Sequence, residues 1–137
     1  MNNRILLAAL AGGVVMFLAG WVIYGMLLMD TMRDINPGMA SVAKDPPMIG
    51  GIFVSNVLGA LLYAIIYDRW AGINTFKAGA IAGAWITALI SLSFDINMLS
   101  MSTLMSLNGT VVDVVASTVL GALGGGAVGW VLGYKRA

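Results

Sequence analysis

The chain has 137 residues, 60% of them hydrophobic and 9% charged, with a formal net charge of +1 and a mean hydropathy of +0.94. A soluble domain carries about 25% charged residues, so this composition points to a bilayer protein, and so small a net charge gives no footprint for nucleic acid. There is no Cys, no His and no Glu, which removes disulfides, thiol and imidazole chemistry and the commonest zinc and haem ligands; no enzyme activity, cofactor or metal is expected.

A hydrocarbon core about 30 Å thick needs roughly 20 apolar residues in a helix. In chain order the first such run is 5–29, which is uncharged. It is longer than a signal-peptide core and is read as a retained span. Residues 30–47, "DTMRDINPGMASVAKDPP", hold all three prolines and read as an outer loop. The second span is 48–67, and the short connection after it predicts a tight hairpin between spans two and three. The third span is 76–94. Residues 95–109 are expected to form the second outer loop, with Met98, Met101, Leu104 and Met105 at helical spacing on the outer surface. The fourth span is 110–134. Open strands cannot satisfy their backbone in lipid, so the expected fold is all-α: a four-helix transmembrane bundle forming a single domain over residues 1–137.

Arg4, Arg69, Lys77, Lys135 and Arg136 fall on one side of this topology, and Arg33 and Lys44 on the other. The excess of positive loops predicts that both termini are cytoplasmic in a bacterial inner membrane.

Residues 54–61, "VSNVLGAL", and 116–123, "ASTVLGAL", agree at six of eight positions. This raises the expectation of two duplicated parallel hairpins. Steps of four from Asp113 reach Gly121, Gly125, Gly129 and Gly133; span three offers Gly79 and Gly83, and span two Gly51, Ser55 and Gly59. Small residues at this spacing let helices approach closely where lipid supplies no hydrophobic drive. Span four holds more glycine than one neighbour needs, so a homo-oligomer is expected alongside packing within the chain.

The six Asp residues are the only side-chain carboxylates. Asp113 follows Thr110 by three, a capping-box-like pattern that would place it in the first turn of helix four; the alternative is an ion or proton site. Asp95 falls at the C-terminal end of span three, where the helix dipole disfavours an anion, and its outer-side cation would have to be Arg33 or Lys44. Asn56 lies inside span two, where an amide needs a partner on another helix; Ser117, Thr118, Thr87 and Ser91 are candidates. Asn97 joins Asp30, Asp95 and Asp113 at the outer end. The outer methionines could bind Cu(I) or fill apolar space.

Phe94-Asp95-Ile96-Asn97, Val112-Asp113 and Ser117-Thr118 resemble a pattern in small bacterial four-helix inner-membrane proteins built on a domain of unknown function. Those pair an aromatic-Asp-Leu/Ile motif after helix three with a Val-Asp motif in helix four; Ala116 departs from it, standing where an aromatic is expected. The first-helix segment 20–25, "GWVIYG", resembles a related four-helix group. The resemblance implies the topology and a functional role for the two aspartates, and no activity. The functional expectation is a small transporter or channel-like protein for an ion or small solute, with Asp95, Asp113, Asn56 and Asn97 as binding candidates. The alternative is a non-catalytic assembly or partner-binding module packing through its glycine stripes.

Overall fold

The computed structural model describes residues 3–44 and 46–136. Helix α1 spans Asn3–Leu27, its last turns widened into a π-helix over Trp21–Leu27. Two short helices follow, α2 (Met29–Ile35) and α3 (Pro37–Val42). Helix α4 spans Ile49–Ala71 and is π-helical from Ile66; α5 spans Phe76–Met101 and α6 Leu107–Arg136. Four of these helices are long and apolar enough to cross a membrane, and the chain is a membrane protein of the all-α, four-helix-bundle class.

The helices are longer than the hydropathy runs in two places that matter. Residues 95–101 do not belong to a loop: α5 continues unbroken to Met101, because its serines bond back to their own helix, as Ser100 Oγ does to the Ile96 carbonyl at 2.8 Å. Helix α6 begins at Leu107, so the connection shrinks to 102–106 and no separate surface helix exists there. Thr110 is therefore not the cap of α6. Ser106 has that role: its Oγ accepts from the Gly109 N–H at 2.9 Å, while Thr110 Oγ1 donates to the Ser106 carbonyl at 3.1 Å. The first outer loop likewise contains α2 and α3; its residue 45 lies outside the described residues.

At the opposite end Gly72, in the left-handed conformation at φ 64°, turns the chain out of α4, a conformation glycine adopts without steric cost. Thr75 then caps α5 by accepting from the Ala78 N–H at 3.2 Å. Despite this short connection α4 and α5 do not form the tight hairpin expected of them. The closely opposed pairs are α1 with α4 and α5 with α6, and α6 also packs along α1. Tyrosines span the wider gap between α4 and α5. Tyr67 donates to the Gly79 carbonyl at 2.7 Å, and Tyr63 hydrogen-bonds Thr87.

Backbone contact between α5 and α6 explains the glycine rows. A Cβ on Gly83 would strike the Gly121 carbonyl, one on Gly79 the Gly125 carbonyl, and one on Gly129 the Thr75 carbonyl. Every step of four along α5 is matched by four along α6, which defines an antiparallel register: 75 opposite 129, 79 opposite 125, 83 opposite 121. Gly133 reaches the Asn74 carbonyl just beyond. Of the other glycines of α6, Gly126 lies against Phe76 at the start of α5, Gly124 against Met16 of α1, and Gly109 against Asn36 between α2 and α3. The glycine surplus of α6 therefore has three neighbours within one chain and is no argument for a second copy.

The buried cluster joins Ile5, Ala8 and Met16 of α1, Ala60, Tyr63, Ala64 and Tyr67 of α4, and Val128 and Leu132 of α6. Large apolar residues such as Trp85, Leu89, Val115 and Trp130 face outward instead. That inversion suits a lipid solvent, in which small residues inside and bulky ones outside maximise helix–helix contact.

Candidate ion-binding site

Following the α5–α6 register beyond the glycines, position 91 falls opposite 113. Ser91 Oγ lies 3.2 Å from Asp113 Oδ2 and 3.4 Å from Asp95 Oδ2, one helical turn further along its own helix. The Ser91 hydroxyl thus stands between the two carboxyl groups. Asp95 is buried, 3% exposed, and Asp113 partly so. Asp95 stands six residues from the end of α5 and Asp113 six from the start of α6. At about 1.5 Å per residue each is about 9 Å inside its helix end. Asp113 is thus past the first turn of α6, where the helix dipole would have held it as a capping anion.

The third wall comes from α1. Tyr24, in the π-helical stretch, donates to Asp113 Oδ1 at 3.0 Å, and its oxygen lies 2.9 Å from Ser117 Oγ. With the Tyr24 proton on the carboxylate, Ser117 donates to Tyr24, which makes a short relay from Ser117 through Tyr24 to Asp113. Widened π turns recur at functional sites because they re-aim side chains that a regular helix would point elsewhere. The donor set is all oxygen: two carboxyls, two serine hydroxyls and a phenol.

No cation enters it. Among the described residues the one ion pair is Arg4 with Asp68, at the other end of the bundle. Of the two expected partners, Lys44 donates to the Met48 thioether at 3.2 Å, and exposed Arg33 reaches neither aspartate. A set of carboxyl and hydroxyl oxygens of this kind can hold a proton, or a small hard cation, which favours oxygen ligands.

The other sequence candidates fall outside this group. Asn56 donates to the Ile52 carbonyl of its own helix at 2.9 Å and, among the described residues, has no partner across the bundle. Its expected partners are engaged elsewhere: Thr118 donates to the Val114 carbonyl, Thr87 pairs with Tyr63, Ser91 serves the carboxyls and Ser117 pairs with Tyr24. Asn97 is exposed, in a shallow groove with Leu89, Ile90, Ser93 and Phe94. Asp30 lies on the exposed face of α2. Sequence reasoning missed Tyr24, although a signal existed: in the apolar run 5–29 only Trp21 and Tyr24 carry a polar side-chain atom, and a phenol inside a span needs a partner.

No protein-family model, curated protein or solved structure matches the chain.

Proposed function

We propose that the chain is a small multi-pass protein of the bacterial inner membrane that binds a proton or small cation between Asp95 and Asp113 and carries it across the bilayer. The observation that carries this reading is the meeting of two carboxyls from different helices, ringed by hydroxyls and free of any basic side chain. Acids inside a span cost about 2.5–3.5 kcal/mol on insertion scales, and those that persist mark ion and proton pathways. The motifs behind the family resemblance, Phe94-Asp95 and Val112-Asp113, supply both acids. Arg4, Arg69 and Lys77 gather at the terminal end of the bundle, which supports cytoplasmic termini, and with that orientation the pair would lie near the outer leaflet.

The test is flux in proteoliposomes under a proton gradient and under Na+ or K+ gradients, comparing the parent with Asp95→Asn and Asp113→Asn. The reading expects at least a tenfold loss of rate in each variant; full rate in both would refute it.

The second reading is a membrane assembly module. The small-residue row of α4 supports it: Gly51 and Ser55 are exposed, and a Cβ on Gly51 would meet only Met48 of its own helix end. A homo-oligomer would then form through α4 and not through α6. Cross-linking in bilayers should survive Leu at Leu58 exchanged for Ala and be lost in Ser55→Leu; an unchanged oligomer in Ser55→Leu removes this interface.

A further inference from the structure

The carboxyl pair is roofed by a segment with unusual attachments. Between Trp21 and Ile35, through the π-helical end of α1 and all of α2, no side chain is buried. The helix breaks at Leu28, whose N–H still bonds the Ile23 carbonyl at 2.8 Å, five residues back. This strap is fastened to α6 at two places. One is Tyr24, on Asp113 and Ser117. The other is Asn36, 3% exposed, whose Oδ1 accepts from the Ser106 N–H at 2.8 Å and faces Ser106 Oγ at 3.0 Å.

The second fastening lies at the depth of the site. Asn36 packs on Gly109, where any Cβ would collide with its side-chain amide. In the α5–α6 register position 109 lies opposite 95, so the Asn36 side chain is level with Asp95 and one turn outside Asp113. Just past it Gly38 lies against the connection between α5 and α6, where a Cβ would stand 2.9 Å from the Thr103 carbonyl oxygen. The segment thus closes the loop end of the bundle through one buried amide, one phenol and the Gly38 backbone, and none of its residues joins the buried apolar cluster. Segments with few buried contacts open at low free energy, and a short break between helical segments is where such a motion is absorbed.

We infer that residues 21–38 form a hinged strap, latched by Asn36 on Ser106 and Gly109, whose opening admits water and ions from the loop side to Asp95 and Asp113. Its purpose rests on the pair being an ion site; its test does not. The chain has no Cys, so a single Ser91→Cys thiol, placed between the two carboxyls, reports access without background. In sealed vesicles with the loop side outward, an impermeant methanethiosulfonate sulfonate is added, and the labelling rate is measured in three proteins. These are Ser91→Cys alone, Ser91→Cys with Asn36→Ala, which removes the latch, and Ser91→Cys with Gly38→Val, which wedges the strap from the 103–104 backbone. The rate is read in whichever strap variants keep the thermal melting of the parent. The expected result is slow labelling with the strap intact and at least tenfold faster labelling when it is loosened. Equal rates, whether all fast or all slow, would overturn the latch. Faster labelling in a protein that shows no flux would leave the strap standing and remove only the ion-transport reading; aspartate-dependent flux with equal labelling would do the reverse.

Discussion

The two ends of the bundle solve the same problem in opposite ways. At the terminal end Asp68 meets the Arg4 guanidinium, Tyr67 is wholly buried on the Gly79 carbonyl, and the Gly79, Gly125 and Gly129 backbones touch. At the loop end two carboxyls meet only hydroxyls, under a strap that buries nothing before Asn36. One end has charge neutralised and helices locked; the other has charge uncompensated and cover loosely held. Under the proposed function, the contrast assigns stability to the terminal half and ion binding to the loop half.

Substitutions can break or sharpen that division. The largest effect is expected at the helix crossing. Gly83→Leu would force a side chain onto the Gly121 carbonyl, and overpacking of this kind costs about 3 kcal/mol or more; steric-trap unfolding in bicelles should show it, and a parent-like stability would mean that α5 and α6 do not touch there. Next, Arg4→Ala removes a charge-assisted hydrogen bond worth about 2 kcal/mol, read as a lower melting temperature in detergent. Tyr63→Phe, which deletes the bond to Thr87, should cost about 1 kcal/mol. At the loop end the sign changes: Asp95→Asn keeps a hydrogen-bonding group for Ser91 and removes an acid from inside a span, which costs about 2.5–3.5 kcal/mol on insertion scales, so stability should hold or rise while flux is lost. Smallest of all is Asn56→Leu, expected within about 0.5 kcal/mol of the parent, because its amide bonds only its own helix.

Much of this fold was legible in the sequence, for a physical reason: hydropathy over 20 residues is a strong signal when the solvent is lipid, and all four runs became helices. The ends were not legible. Residues 95–109 read as an outer loop, yet the Ser100 and Ser106 hydroxyls bond the backbone, which carried α5 to Met101 and let α6 start at Leu107. That shift decides the site, because it moved both aspartates from helix ends to about 9 Å inside. The glycine rows were visible, but not their partners. Only the register of Gly83 against Gly121 puts Ser91 opposite Asp113, and no local pattern states it. Tyr24 depends further on the widened turns at the end of α1, a departure from regular periodicity that hydropathy does not encode. Asn56 was misread because depth alone does not say which face of a helix a residue occupies.

The chain contains six aspartates and no glutamate, so carboxyl labelling gives a sparse spectrum. The most direct measurement is a solid-state carbon–carbon correlation spectrum of Asp-labelled protein in lipid bilayers. The pairing of Asp95 with Asp113 predicts a through-space cross-peak between their carboxyl carbons that disappears in Asp95→Asn and is untouched by Arg4→Ala. Two resolved carboxyl signals with no contact between them would contradict it.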